Sequence, residues 1–318
     1  MKNKIDNKQR AIRIFFYSAL VITILLIIAL LRELNQQANF YRAILVQNNS
    51  PFELYQKFLP LRRWEVREPV LTADGALVAL INNENSKILL EKNSTLSLPI
   101  ASLTKLMTAL IAIDQYSLDD EIIISEEAFL KDIRRPHNLY PGERYRVKDL
   151  LYANLMESSN TAAQALGEKN ALFLTKMNQR AQKLGMRRTR FTNFTGLDPL
   201  DLRATVNRSS PEDLLFLTKE LMKYPLIWEI LITAKYDLRT ADGVLKHRLK
   251  NTNELIGEID FLKGGKTGRT ARAGENFLAV FKRGDYYLLT IVLGSKNRFE
   301  DTRALLNWIE AAHFWKTI

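Results

Sequence analysis

Three short clusters of chemically capable residues stand in order along the 318-residue chain: Ser102-Leu103-Thr104-Lys105, Ser158-Ser159-Asn160 and Lys266-Thr267-Gly268. A serine hydroxyl is a weak nucleophile until a base removes its proton. Lys105 lies one helical turn beyond Ser102, so its amine falls on the same face and within reach of the hydroxyl. To act as the base, the amine must be neutral. Burial and a neighbouring cation both favour that state, and Lys266 is the natural cation. Ser158 offers a rotatable donor–acceptor, and Asn160 a paired donor and acceptor. Lys266 and Thr267 can hold a carboxylate, while Gly268 lets a ligand lie against the strand as an added neighbour. Each cluster alone has an ordinary reading, as a helix N-cap, a capping run before Thr161, or a plain strand end. Their joint order and settings speak for chemistry.

The elements that must position these residues follow from periodicity. Residues 76–81 and 87–91 read as apolar strands around the turn-rich Asn82-Asn83-Glu84-Asn85-Ser86. A helix is predicted over 102–116, and another from near Val147 that ends at Ser158. Helical patterns then dominate through residue 233. One of them opens at Ser210-Pro211-Glu212-Asp213, with an N-cap serine, proline at the first helical position and a capping-box acid. Strand signals return at 259–267, 276–281 and 286–293, the last two joined by a turn at Lys282-Arg283-Gly284-Asp285. A helix over 299–313 follows. Lys263-Gly264-Gly265 makes the strand that carries Lys266 look more flexible and more basic than usual. A strand pair, a helical middle and a final strand set imply an α/β fold with one discontinuous sheet flanked by helices.

Composition narrows the function classes. With no cysteine, neither a disulfide framework nor a thiolate metal site can form. The three histidines, His137, His247 and His313, show no metal-ligand spacing, so a zinc peptidase is disfavoured and no cofactor is implied. A net charge of +11 invites a nucleic-acid reading that nothing else supports. The N-terminus explains part of it. Residues 14–31 are 18 uncharged, mostly apolar positions, about 27 Å as a helix and close to the hydrocarbon thickness. Five basic residues against Asp6 precede them, which predicts a cytoplasmic N-terminus. No small-x-small cleavage site follows, so the segment reads as an uncleaved anchor rather than a signal peptide. The predicted organisation is a cytoplasmic tail over 1–13, a transmembrane anchor over 14–31, a stalk over 32–67 and a catalytic domain over 68–318.

From about Glu68 to Trp308 the chain resembles the low-molecular-mass penicillin-binding proteins, the serine-type D-Ala-D-Ala carboxypeptidase family. The resemblance rests on the three clusters, on Leu98-Pro-Ile-Ala-Ser-Leu-Thr-Lys-Leu-Met-Thr-Ala-Leu110, and on Pro141-Gly-Glu-Arg-Tyr-Arg-Val-Lys-Asp-Leu-Leu-Tyr152. Leu184-Gly-Met186 and Thr195-Gly-Leu-Asp198 fall at the family's landmarks between motifs. It implies a β-lactamase/transpeptidase-like fold with a mostly helical subdomain. It also implies peptidoglycan stem peptides as substrates and β-lactam antibiotics as covalent inhibitors.

By the same resemblance Ser102 is the nucleophile, Ser158 relays a proton, and Asn160 holds Lys105 and the substrate amide. Lys266 and Thr267 would hold the terminal carboxylate, Gly268 would face the peptide, and the backbone N–H groups of Ser102 and Arg269 would form the oxyanion hole. Lys296 or Arg298 would add a basic carboxylate contact. Many relatives continue into a β-rich second domain and a C-terminal membrane anchor. Here the N-terminal helix is expected to take over anchoring, with the enzyme facing the wall of a bacterium. A D,D-endopeptidase with the same residues is the nearest rival. A penicillin-binding scaffold of low activity is a rival of another class. A β-lactamase of class A is disfavoured by the lack of a Glu-x-x-Leu-Asn segment.

Overall fold

The computed structural model describes residues 23–35, 37, 60–82, 86–130, 139–201 and 203–315. These fall into two compact units, one comprising residues 1–65 with 312–318, the other residues 66–311. In the first unit residues 23–35 are helical and exposed. Leu61–Arg62 pairs antiparallel with His313–Phe314, and the Arg63 guanidinium lies 3.8 Å from the centroid of the Phe314 ring. Among the described residues no helix is long and apolar enough to cross a membrane. The expected tail over 1–13, residues 14–22 of the expected anchor, and residues 36 and 38–59 of the expected stalk lie outside the described residues.

The second unit is built on a five-stranded antiparallel sheet. Its strands are β1 (Gly75–Ile81), β2 (Ser86–Lys92), β5 (Leu262–Thr270), β6 (Gly274–Arg283) and β7 (Tyr286–Ser295). A separate hairpin supplies β3 (Lys235–Arg239) and β4 (Leu245–Lys250). The sheet order is β5-β6-β7-β1-β2, so the ends of the chain segment close one sheet around an inserted helical region. β5 is an edge strand.

β1 is buried at every position because both faces of the sheet are covered. Leu77, Ala79 and Ile81 join the large core beneath the helices. Alternate residues Ala76, Val78 and Leu80 are equally buried but stand outside that core. On that other face Phe277 meets Phe299 nearly edge-on, with ring centroids 5.2 Å apart. Each fully buried leucine or phenylalanine here contributes roughly 2 kcal/mol.

The helices are α1 (Thr104–Gln115), α2 (Val147–Leu155), α3 (Asn160–Glu168), α4 (Phe173–Lys183), α5 (Pro211–Leu221), α6 (Pro225–Ile232) and α7 (Arg298–Ala312). α1 runs through the middle of the core, and Leu106, Met107 and Leu110 have no exposed surface. α5 begins as its sequence predicts: the Ser210 side chain accepts from the Asp213 N–H, and Pro211 takes the first helical position. The Asp213 carboxylate does not reach back to complete the box. It accepts instead from Arg188 N and Thr189 Oγ1, both at 2.7 Å.

Several boundaries differ from the sequence reading. β5 starts at Leu262, not 259, because Ile259 is held in a turn by its N–H to the Leu255 carbonyl. It also runs on to Thr270, which puts Lys266-Thr267-Gly268 inside the strand rather than at its end. The glycines before Lys266 answer to packing, not flexibility. A Cβ on Gly264 would stand 2.9 Å from Leu231 Cβ, and one on Gly265 would stand 2.8 Å from Phe277 Cζ. The β3–β4 hairpin is absent from the sequence reading, since Leu245-Lys-His-Arg-Leu-Lys250 is too charged to read as a strand. Residues 83–85 of the expected first hairpin turn lie outside the described residues.

Candidate active site

The nucleophile region begins where Leu98–Pro99 pairs with Arg208–Ser209. A 3₁₀ turn over Ala101–Leu103 then leads into α1. Ala101 has φ 45°, a conformation that L-residues adopt only when their surroundings hold them there. Two close approaches do so. A Cβ on Gly196 would fall 1.9 Å from the Ala101 carbonyl oxygen, and one on Gly268 would fall 3.0 Å from Ser102 N and 3.1 Å from Ile100 O. Glycine at 196 and 268 is therefore a condition of the site's geometry. The Asn276 amide donates to Pro99 O at 3.1 Å and accepts from Gly294 N at 2.8 Å, tying the sheet to the same turn.

Lys105 is fully buried. Its Nζ donates to Asn160 Oδ1 at 2.8 Å and to Thr195 O at 2.7 Å, and lies 3.1 Å from Ser102 Oγ. The α2 residue Asn154 fixes α1 from below, its Nδ2 donating to Lys105 O at 3.2 Å. Asn160 opens α3, which is capped by Ser159 Oγ accepting from Ala162 N at 3.1 Å. Ser158 stands in the turn between α2 and α3 with φ 62°. So α2 ends at Leu155, and Ser158 lies beyond it rather than closing it. Its buried Oγ has no hydrogen-bond partner among the described residues, which leaves it able to serve a ligand.

Lys266 is also fully buried, and its Nζ donates to Thr267 O at 3.1 Å. Burial, and after it the charge of Arg298, push its ammonium down to about 7. Of the two basic residues expected to add a contact, Arg298 faces the strand, with Nη1 donating to Gly268 O at 3.3 Å. Lys296 is exposed. The Arg269 side chain is 73% exposed and lies 3.7 Å from the Glu275 carboxylate. Thr267 Oγ1 is 2.6 Å from Thr252 Oγ1.

Hydrogen bonds thus join Ser102, Lys105 and Asn160, while close packing brings Gly268 against them. The groups that sequence reasoning missed are those that shape this arrangement. The Thr195 carbonyl is set by Asn193, whose Oδ1 accepts from Thr195 N at 3.1 Å and Gly196 N at 2.7 Å. Asn207 Nδ2 donates to Thr104 Oγ1 and to Asn193 O, each at 2.9 Å. A backbone carbonyl leaves no side-chain signature; the glycine that follows Thr195 is the one local signal of the turn. Among the described residues no cluster of histidine, aspartate and glutamate could hold a metal.

The chain is similar to known proteins. Residues 64–297 match the peptidase S11 family, D-alanyl-D-alanine carboxypeptidase. The D-alanyl-D-alanine carboxypeptidase DacF of Bacillus subtilis is 31% identical over 255 residues, which are 77% of this chain and 64% of DacF. A D-alanyl-D-alanine endopeptidase of Pseudomonas aeruginosa is 31% identical over 245 residues, 73% of this chain and 76% of that protein. The ampicillin-bound structure of penicillin-binding protein D2 from Listeria monocytogenes aligns with a TM-score of 0.63 at 32% identity. The alignment covers 76% of this chain and 98% of that one. The chain thus spans a little under two thirds of DacF, and its mixed α/β fold is the transpeptidase-like one. It belongs to the D-alanyl-D-alanine carboxypeptidase family, the low-molecular-mass penicillin-binding proteins.

Proposed function

We propose that the chain is a serine D,D-carboxypeptidase that removes the terminal D-Ala from peptidoglycan stem pentapeptides through an acyl-enzyme on Ser102. The surroundings of Lys105 carry this reading. A neutral amine has two N–H groups and one lone pair. The carbonyl oxygens of Asn160 and Thr195 can only accept, so they take the two N–H groups. The Ser102 hydroxyl lies 3.1 Å from the same nitrogen, within reach for proton transfer to it. Lys105 takes the hydroxyl proton as Ser102 Oγ attacks the penultimate carbonyl. The backbone N–H groups of Ser102 and Arg269 receive the oxyanion, an interaction worth about 3 kcal/mol per donor. Ser158 passes a proton to the leaving amine, Asn160 holds the substrate amide, and water releases the acyl group.

The peptide lies along the open edge of β5 beside Gly268, with its terminal carboxylate held by Lys266, Thr267 and Arg298. β-Lactams acylate Ser102 in the same place; the ampicillin-bound relative supports this. Residues 14–31 anchor the chain in the bacterial cytoplasmic membrane with the N-terminus inside and the catalytic unit outside, supported by their apolar run and the basic residues ahead of it.

The Pseudomonas aeruginosa relative favours a second reading, cleavage of cross-links by the same residues. To separate the two, the protein is incubated with monomeric pentapeptides and cross-linked dimers together, and the products are followed by mass spectrometry beside Ser102→Ala. Released D-alanine with intact dimers supports the carboxypeptidase. Conversion of dimers to monomers moves the assignment to endopeptidase. No Ser102-dependent change in either pool would leave a penicillin-binding scaffold.

A further inference from the structure

Thr252 stands between the second and third motifs. Its N–H donates to Met156 O at 3.1 Å, and its Oγ1 lies 3.2 Å from the same carbonyl, two residues before Ser158. The same hydroxyl is 2.6 Å from Thr267 Oγ1. Neighbouring contacts fasten this strap: Lys250 N and His247 Nε2 both meet Glu157 Oε1 at 2.9 Å. The β3–β4 hairpin and the residues after it therefore grip the turn that carries Ser158, and Thr252 extends that grip to β5.

The hydroxyl pair has two arrangements, because each oxygen carries a single proton. In one, Thr252 donates to Met156 O and accepts from Thr267, so Thr267 shows the cleft only lone pairs. In the other, Thr252 donates to Thr267, and the Thr267 proton is released toward the cleft. Only the second presents a donor to an anion. The 2.6 Å contact is made in both arrangements, and the donation from Thr252 to Met156 O at 3.2 Å belongs to the first, so it is a carboxylate entering the cleft that selects the second.

We propose that Thr252 is a positioning residue that turns the Thr267 hydroxyl proton toward the substrate carboxylate. This inference rests on the proposed function and refines it. Thr252 touches no reacting atom; it acts through Thr267. A ligand without a carboxylate gains nothing from the arrangement, and that difference separates positioning from general support of the fold.

The test compares acylation of the full-length chain by benzylpenicillin and by its methyl ester, with wild type, Thr252→Val and Thr252→Ser. Removal of one neutral hydrogen bond predicts that Thr252→Val slows benzylpenicillin by about fivefold. The ester is expected to react unchanged, and Thr252→Ser to restore the wild-type ratio of the two rates. The Thr252 N–H bond to Met156 O survives in both variants, and equal melting temperatures check that the turn is intact. Equal slowing of both probes in Thr252→Val, or no slowing of either, overturns the inference alone. A wild-type chain that takes up neither probe overturns the proposed function and this inference with it.

Discussion

Two lysines line the site, and the contrast between their surroundings separates its two walls. Lys105, on the helical wall, has two carbonyl oxygens and a serine hydroxyl around its amine. Lys266, on the strand wall, is equally buried but donates one described hydrogen bond, to Thr267 O, and faces the positive charge of Arg298. The first wall is preorganised for proton transfer. The second carries a positive charge with no described carboxylate partner, and an incoming anion would complete it. The helical wall thus holds its lysine in hydrogen bonds, whereas the strand wall sets its lysine beside another positive charge.

The largest effect should come from removing what both walls serve. Ser102→Ala is expected to abolish acylation by benzylpenicillin, a loss of more than about 10³-fold, read by mass spectrometry of the intact protein. Lys266→Met tests the strand wall and should move activity and stability in opposite directions. Activity should fall about 10²-fold or more, while the melting temperature at pH 6 rises by about 5 °C. The sign follows from linkage. The folded pKa of about 7 lies below the ordinary lysine value of 10.5, so the unfolded chain binds more protons between those two pH values. Stability from this group rises with pH through that window, and its penalty is full below about 7. The gain in Lys266→Met should therefore shrink as pH approaches 10. Acylation by benzylpenicillin should likewise decline as pH rises through about 7, where Lys266 loses its charge.

Asn160→Ala tests the helical wall, leaving the Lys105 amine one acceptor short. A loss of about 10²-fold in acylation is expected for the methyl ester as well as for benzylpenicillin, since proton transfer is shared by both. If the ester is spared, the two walls are not separable in this way. Gly268→Ala joins the walls, because its added Cβ meets backbone atoms of Ile100 and Ser102 that cannot swing aside. About tenfold slower acylation and a loss of about 2 kcal/mol are expected, by rate measurement and urea unfolding. The smallest effect belongs away from both walls: Ser210→Ala should cost about 1 kcal/mol of stability through the lost cap of α5 and leave acylation rates unchanged.

The helical wall was the more legible from sequence. A Ser-x-x-Lys at the start of a helix fixes its own geometry, since one turn separates the two side chains. Strand β1 was equally plain, because residues 76–81 are apolar throughout. Side chains that act across long sequence separations were hidden. Nothing near Thr252 announces a partner at Thr267, and the Asn207 link to Thr104 spans 103 residues. The β3–β4 hairpin escaped for a different reason. Its outward residues are charged, and its stability comes from what lies beneath, Leu238 and Leu249 in the core and Tyr236 stacked on Tyr152 at 3.7 Å. Glycines misled in the opposite sense: Gly264 and Gly265 read as flexible, where packing leaves them no room for a side chain.

The open edge of β5 has a consequence outside catalysis. An unpaired strand edge recruits any extended chain, a second copy of the protein included, and proteins commonly guard such edges with charge. Lys266, a buried basic residue on this edge strand, is placed to act as such a guard. A neutral intruder that seals the edge traps a buried cation with nothing to balance it, whereas a peptide ending in a carboxylate brings the balancing charge. On the proposed function, the residue that holds the substrate carboxylate would also discourage self-association. Lys266→Met, expected to be more heat-resistant and less active, is therefore expected to form oligomers on storage more readily than the wild type.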